Sequence, residues 1–307
     1  MSVLLLLAML AVGAVLGFIF RKYQALAGLG RHLAHVSIWG LLVAMGAKLA
    51  QNRSLFVDDL AVLFVAIGSA AALTVVFALV FWLVGGRKKW PAEESQLEKS
   101  EGPTGKLREL FSVAANGGCI IIGFAVLLLL PQASVENYPL EPIIDWLLMA
   151  LLFFVGFGLG RELKSLNCGL LPPMLLLVPF INMAISLAFG YLFGFLFGLG
   201  ARQGALLTAG MGWYSLSSVL LAERGLVVLS VLAFIHNVFR ELFAILLAPI
   251  AAKISPLLPI YLGGATSGDV MLPFVQKYCG EEYTLVSFYS GIVCSIAVMP
   301  LVKALAG

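Results

Sequence analysis

The sequence predicts an all-α, polytopic membrane protein with about 8–10 transmembrane segments. Of its 307 residues, 61% are hydrophobic and only 11% are charged, whereas a soluble domain carries about 25% charged residues. Several apolar runs reach the ~20 residues that a helix needs to cross the hydrocarbon core. Helices are expected because lipid cannot satisfy exposed backbone groups, and short alternating segments typical of a barrel are missing.

Apolar runs and the charges between them predict the topology. The runs lie near 2–20, 33–50, 58–84, 110–130, 143–160, 171–198, 204–222, 226–250, 257–278 and 282–305. Basic residues concentrate in the connections after the first, third and fifth runs, so the positive-inside rule puts those connections in the cytoplasm and the N-terminus in the periplasm. The first run has no basic segment before it, and we expect a retained span rather than a cleaved signal peptide.

A hydrophilic stretch divides the chain. We predict an N-terminal membrane repeat of three spans (1–86), a cytoplasmic linker (87–109) and a C-terminal membrane region that carries the functional site (110–307). An apolar run ending in Gly-x-x-Leu occurs on both sides of the linker, at Trp39–Leu49 and Leu151–Leu159. Because the copies lie three spans apart, they would cross the membrane in opposite directions, as inverted repeats of secondary transporters do.

Small residues predict close helix packing. Gly190, Gly194 and Gly198 recur at four-residue spacing, which lets another helix backbone approach closely. We expect an intramolecular contact, and a homodimer contact stays open. The cysteines are scattered singly, so we predict packing roles for them, no metal centre and no resident cofactor. They are Cys119, Cys168, Cys279 and Cys294.

A polar cluster occupies the middle of the eighth run, which is otherwise apolar. His236 and Arg240 are four residues apart, as are Asn237 and Glu241, so on a helix all four share one face. A charge near the bilayer centre costs roughly 3 kcal/mol on insertion scales. We therefore expect these side chains to face the protein interior or a wet cavity, and to mark a path for ions or solutes.

Two other runs contain helix-breaking residues together with polar ones. The seventh reads Gly210-Met211-Gly212-Trp213-Tyr214-Ser215-Leu216-Ser217, and the ninth reads Gly264-Ala265-Thr266-Ser267-Gly268-Asp269 with Pro273 beyond it. Glycines and proline weaken the helical hydrogen bonds, and unwound backbone at membrane depth must be covered by protein or line a cavity. Both runs are therefore predicted to be discontinuous helices or hairpins that line the same cavity as Glu241. Whether 257–278 crosses or re-enters stays open.

These three stretches, in this order and spacing, resemble the lysine exporter (LysO) family of bacterial inner-membrane proteins. The resemblance is strongest from about 204 to 280. It implies export of L-lysine and of toxic analogues such as thialysine, in exchange for an inward cation. It also implies a location in the bacterial inner (cytoplasmic) membrane and a need for intramembrane acidic residues.

The family motifs match this sequence residue by residue, with departures. Glu241 matches the acid of a family pattern in which Asn-Asp is followed further on by Arg-Glu; Asn237 matches its Asn, while Val238 takes the place of its Asp. Asp269 matches the acid of the Gly-Ala-Thr-Ser-x-Asp motif. A second departure lies in the first half, where Lys48 and Arg53 occupy the region of an expected acid and Asp58 is the nearest carboxylate.

The resulting hypothesis is a secondary active exporter of L-lysine, coupled to H⁺ or Na⁺. Glu241 and Asp269 are predicted to bind the coupling ion, including Na⁺, and the substrate amine. Arg240 is predicted to neutralise one of these acids or to bind the substrate carboxylate. The remaining predicted site residues are Asn237, His236, Trp213, Tyr214, Ser215, Ser217, Thr266 and Ser267.

Two alternatives remain from the sequence. A Na⁺/H⁺-type cation antiporter would also use membrane carboxylates. An intramembrane serine protease could use Ser215 and His236, although Leu216 would crowd its oxyanion site. Apart from the protease alternative, we do not expect the protein to be an enzyme. The predicted partners are L-lysine and the lipid bilayer, with no nucleic acid.

Overall fold

The computed structural model describes residues 3–51, 60–85, 103–129, 139–162 and 173–307. Its regular elements within these ranges are all helical. They are α1 (Val3–Ile19), α2 (Gln24–Gln51), α3 (Leu60–Gly85), α4 (Pro103–Leu128), α5 (Leu140–Glu162), α6 (Pro173–Leu176), α7 (Val178–Leu196), α8 (Ala201–Thr208), α9 (Tyr214–Ala222), α10 (Val227–Ile254), α11 (Leu258–Gly263), α12 (Leu272–Cys279) and α13 (Glu281–Ala306).

The long helices confirm a multi-pass membrane protein. Five described helical stretches are long and apolar enough to cross a membrane, and two shorter ones are apolar as well. The five are Ala61–Leu83, Leu140–Gly158, Val178–Leu196, Val227–Ile254 and Glu281–Ala306, and the shorter two are Ala8–Ile19 and Gly117–Leu128.

Two helices begin earlier than their apolar runs. α2 starts at Gln24 and α4 starts at Pro103, because backbone hydrogen bonding continues through polar residues that a hydropathy pattern does not count. Pro103 suits the first turn of α4, where its missing N–H would have no partner. The end of the predicted linker is therefore helical. Most of the linker lies outside the described residues, as do Arg53, Asp58 and Cys168.

One compact unit comprises residues 1–54 and 110–169. Its α1 and α5 pack so closely that a Cβ atom added to Gly160 would lie 1.9 Å from the carbonyl oxygen of Ala14. α2 packs against α5 too, and the ammonium group of Lys48 is paired there with the carboxylate of Glu141.

The second compact unit comprises residues 55–109 and 170–307. α10 packs there against α3, α8, α9, α11 and α12. α7 and α8 meet at glycines, since a Cβ on Gly204 would lie 2.1 Å from the carbonyl oxygen of Gly190 and 2.6 Å from the Cα of Gly194. This confirms the predicted intramolecular contact. Including Gly198 in it was wrong, because α7 ends at Leu196 and Gly198 sits in the following turn at φ +75°.

The seventh and ninth runs are broken, as predicted. The seventh consists of α8 and α9 with turns between them, and the ninth consists of α11, a 3-10 helix at Gly264–Gly268, and α12. Pro259 and Pro273 lie in the first turns of α11 and α12, where proline is tolerated. Pro273 therefore begins a helix rather than kinking one. The inverted repeat and the division at residues 86 and 110 stay predictions.

Candidate functional site

The polar cluster of α10 is enclosed by protein. His236 and Asn237 are 0% exposed, Glu241 is 1% exposed and Arg240 is 2% exposed. Four polar side chains in the middle of an apolar helix are thus withdrawn from lipid and from bulk water, as the free-energy cost of intramembrane charges requires. This confirms that the cluster faces the protein interior.

Arg240 holds the C-terminal end of α11. Its Nε donates to the carbonyl oxygen of Leu262 at 3.1 Å, and its Nη2 donates to the carbonyl oxygen of Tyr261 at 3.2 Å. The last carbonyls of a helix have no partner within it and carry a partial negative charge. A buried guanidinium is suited to them because it offers five N–H donors in a fixed plane. Arg240 therefore stabilises the helix end where the ninth run is interrupted between α11 and α12, which we call the second break.

Two further side chains on α7 complete the surroundings of Arg240. Nη2 also donates to Asn182 Oδ1 at 3.0 Å, and Nη1 donates to Ser186 Oγ at 3.2 Å. Asn182 Nδ2 in turn donates to the carbonyl oxygen of Tyr261 at 2.9 Å. Sequence reasoning missed both α7 residues. Their signal was a pair of polar residues four apart in an otherwise apolar run.

Asn237 stabilises the interruption of the seventh run between α8 and α9, which we call the first break. Its Oδ1 accepts a hydrogen bond of 2.7 Å from the backbone N–H of Gly212, and its Nδ2 donates to the carbonyl oxygen of Leu207 at 3.3 Å. The side-chain amide thus replaces backbone hydrogen bonds that are lost where the helix unwinds, as buried backbone groups require. Gly210 must be small here, because a Cβ atom would lie 2.7 Å from Asn237 Nδ2.

The two breaks contact each other directly. The N–H of Ala265 donates to the carbonyl oxygen of Met211 at 2.8 Å. Met211 has φ +48° and Gly264 has φ +63°, so each break places a residue in the left-handed region. Glycine is needed at 264 for space as well, since a Cβ atom would lie 2.5 Å from the Met211 oxygen. The sequence predicted both breaks, and the structure brings them together.

The hydroxyl groups of the second break bind backbone. Ser287 Oγ on α13 donates to the carbonyl oxygen of Ser267 at 2.7 Å. Ser267 Oγ lies within hydrogen-bonding distance of two carbonyl oxygens, that of Gly264 at 2.7 Å and that of Ser287 at 3.0 Å. Thr266 Oγ1 donates to the carbonyl oxygen of Gly263 at 3.0 Å. Asp269 follows the 3-10 helix, is partly buried, and accepts a hydrogen bond of 2.6 Å at Oδ1 from the N–H of Val270. Ser267 thus fastens the break to α13.

The predicted site residues of the first break differ in exposure. Trp213, Tyr214 and Ser215 are partly exposed, whereas Ser217 is buried and its Oγ donates to the carbonyl oxygen of Tyr214 at 3.2 Å. The Tyr214 ring packs edge-on against Phe234, with centroids 5.5 Å apart. The first turn of α9 therefore has the more accessible groups, and α10 has the enclosed ones.

His236 pairs with a residue that the sequence did not single out. Its Nδ1 lies 2.8 Å from Ser69 Oγ on α3, and Ser69 is itself 0% exposed. Among the described residues the other ring nitrogen, Nε2, has no hydrogen-bond partner. The dyad of Ser215 and His236 required by the protease alternative is therefore not formed. A lone serine in an apolar helix gave no usable signal for Ser69.

The described contacts bring some of the predicted site residues together and leave others apart. Arg240 and Asn237 each bind one break, and Glu241 lies beside Arg240 in the same buried stretch of α10. A cavity shared by the carboxylates of Glu241 and Asp269 stays a prediction.

Comparisons with known proteins point to one family. A family model described as lysine exporter LysO matches residues 118–306. The chain is 29% identical over 311 residues to the lysine exporter LysO of Escherichia coli K12, covering 98% of the chain and 97% of that relative. It is 32% identical over 151 residues to a Haemophilus influenzae protein provisionally named a lysine exporter, covering 49% of the chain and 77% of that relative. No solved structure gives a significant match.

Proposed function

The chain belongs to the lysine exporter LysO family, and from this membership we propose that it exports L-lysine across the bacterial inner membrane. From the distribution of basic residues we place its N-terminus in the periplasm. The observation that supports a transport role is the position of α10 between two helix breaks. Asn237 binds one break and Arg240 binds the other. A rearrangement of either break must therefore be accommodated by the same buried polar cluster.

The charges of the cluster suit the charges of lysine. Lysine has two ammonium groups and one carboxylate, each of which must leave water to be carried. In this proposal Glu241 and Asp269 bind the coupling ion and an ammonium group of lysine, and the guanidinium of Arg240 attracts the carboxylate. The described acceptors around Arg240 are neutral oxygens of Asn182, Ser186 and the end of α11. Its positive charge therefore remains able to attract an anionic group of a ligand.

If the carboxylates can bind only one partner at a time, lysine efflux is coupled to the inward movement of H⁺ or Na⁺. If lysine and either H⁺ or Na⁺ compete for Glu241 and Asp269, only one of them is bound during each reorientation of the site. Inward movement of the cation down its gradient then drives lysine outward. Discontinuous helices at the substrate site are a common feature of secondary transporters. The same site would carry analogues such as thialysine, which has the same charged groups.

Counterflow in proteoliposomes tests the proposal. The purified protein is reconstituted with unlabelled lysine inside, and uptake of labelled lysine is measured against protein-free liposomes. We expect exchange without any ion gradient, and net efflux that accelerates when an inward H⁺ or Na⁺ gradient is imposed. Absence of lysine exchange together with Na⁺-dependent proton movement would instead establish the cation antiporter.

A further inference from the structure

Among the described residues, a hydrogen bond reaches only one ring nitrogen of His236, and the surroundings of that bond favour one tautomer. Ser69 Oγ lies 2.8 Å from the carbonyl oxygen of Ala66 and 2.8 Å from His236 Nδ1. A carbonyl oxygen only accepts, and a hydroxyl has a single proton. If Ser69 donates that proton to Ala66, its oxygen must accept from Nδ1–H. In a neutral imidazole the lone pair then lies on Nε2.

The described residues supply no donor to that lone pair. His236 is 0% exposed, and among the described residues nothing hydrogen-bonds to Nε2. A buried polar atom left without a partner destabilises a folded protein, so most such atoms are paired. An acceptor that stays unpaired beside a transport site is suited to a donor that arrives with the ligand.

The charge of Arg240 and the chemistry of imidazole indicate which kind of ligand group can bind Nε2. Na⁺ and other hard cations prefer oxygen ligands to an imidazole nitrogen. A proton on Nε2 would place a second buried cation one helical turn from Arg240, which is unfavourable. An α-amino acid avoids this cost, because its carboxylate can approach Arg240 while its α-ammonium group donates to Nε2. The ligand then brings the anion that compensates its own cation.

We propose that Ser69 is a positioning residue that holds His236 as the Nδ1–H tautomer, so that Nε2 accepts a hydrogen bond from the α-ammonium group of the transported amino acid. This inference rests on the proposed export of lysine. In this arrangement His236 and Arg240 bind the α-ammonium and α-carboxylate groups of the amino acid. The carboxylates bind its side-chain ammonium group and the coupling ion.

Two amide substitutions test the role of Nε2. The oxygen of Gln in His236→Gln can reach the position of Nε2, whereas the shorter side chain in His236→Asn reaches only the position of Nδ1. Binding of lysine and of Nα-acetyl-lysine, which lacks the α-ammonium group, is measured on purified protein in detergent. We expect wild type and His236→Gln to favour lysine by at least about tenfold, and His236→Asn to bind both ligands equally. Undiminished preference in His236→Asn would overturn the proposal.

Ser69 is tested through kinetics, with a matched control on the same helix. Thr74 is also buried on α3 and its Oγ1 donates to the carbonyl oxygen of Ala70 at 2.9 Å, but it has no described contact with the imidazole. We expect Ser69→Ala to raise the KM for lysine exchange about tenfold with little change in kcat. Ser69→Thr, which keeps the hydroxyl group, should have the wild-type KM, and so should Thr74→Val. Equal KM changes in Ser69→Ala and Thr74→Val would contradict a positioning role.

The outcomes separate this inference from the proposed function. Wild-type protein that exchanges no lysine would refute the proposed function itself. Wild-type exchange combined with a His236→Gln variant that exchanges lysine but no longer responds to an ion gradient would refute only this inference, because the imidazole would then be carrying the coupling proton.

Discussion

The backbone N–H of Ala265 donates a 2.8 Å hydrogen bond to the carbonyl oxygen of Met211, which joins the two helix breaks of the second compact unit. Both residues are buried, at 4% and 0% exposure. Each break therefore satisfies a backbone group of the other, and Asn237 and Arg240 satisfy further groups from α10. The two breaks form one hydrogen-bonded element, so a local change at either is expected to affect both.

Replacing Gly264 with alanine tests this element. The new Cβ atom would meet Met211 O at 2.5 Å and Arg240 Nη2 at 2.8 Å, in a residue with φ +63°. We expect a loss of about 1–3 kcal/mol in stability from strain alone, increased by the clash, and a lower melting temperature in detergent. Gly225→Ala is the control, because Gly225 has φ +73° with nothing within 4 Å. Equal effects of the two substitutions would show that the contact with Met211 is unimportant.

Arg240→Lys should not preserve the site despite keeping the charge. A lysine ammonium group has three donors without the planar arrangement of guanidinium, so it cannot reach Leu262, Asn182 and Ser186 together. Each lost hydrogen bond that leaves a buried group unsatisfied costs about 1–3 kcal/mol. We expect a clearly lower melting temperature and loss of lysine exchange. Arg224→Lys, at an exposed position, should alter neither, and wild-type behaviour of Arg240→Lys would exclude the assigned role.

Glu241→Gln replaces a buried carboxyl group by an amide with almost no change of shape. Because a hydrogen bond to a charged group contributes about 1.5–3 kcal/mol, we expect lysine efflux to fall by about ten- to a hundredfold. The variant should still reach the membrane, which is checked by fractionation and immunoblotting. Glu282→Gln, at an exposed position on α13, is the matched control. Efflux at the wild-type rate would remove Glu241 from the mechanism.

Gly123→Ala tests the close helix contacts of the first compact unit. A Cβ atom at 123 would lie 1.9 Å from the carbonyl oxygen of Val43, whereas Gly118 on the same helix has nothing within 4 Å. We expect Gly123→Ala to cost about 1–3 kcal/mol through overpacking. Gly118→Ala should instead be neutral or slightly stabilising, since alanine is the better helix former by up to about 1 kcal/mol. Melting curves of the two variants in detergent decide this, and a neutral Gly123→Ala would contradict the contact.

The polar residues of α10 and the glycine-rich breaks were predictable because their signals are local. Helical spacing alone places Asn237, Arg240 and Glu241 on one face, and the cost of intramembrane charge turns that face inward. In the same way, Gly264 and Gly212 within apolar runs predict interrupted helices. The apolar pattern located the spans, but the polar first turns of α2 and α4 carried no such signal.

The identity of the partners required the tertiary structure. Ser69, Asn182 and Ser186 are each a small polar residue in an apolar helix, and nothing in the sequence tells which of them contacts His236 and which contacts Arg240. Their pairing with His236 or Arg240 depends on how far one helix is shifted and rotated against another. Apolar periodicity indicates which face of a helix is buried, and many registers between two helices satisfy it equally.

The sequence by itself therefore determined the class of protein, the buried charges and the positions where helices break, since each follows from composition or spacing within one segment. Only the tertiary structure decided that the breaks are bonded to each other and that Arg240 caps α11, since those contacts join residues more than 20 positions apart. Hydrogen bonds are directional and act over about 3 Å, so they are specified by packing geometry that no single segment contains.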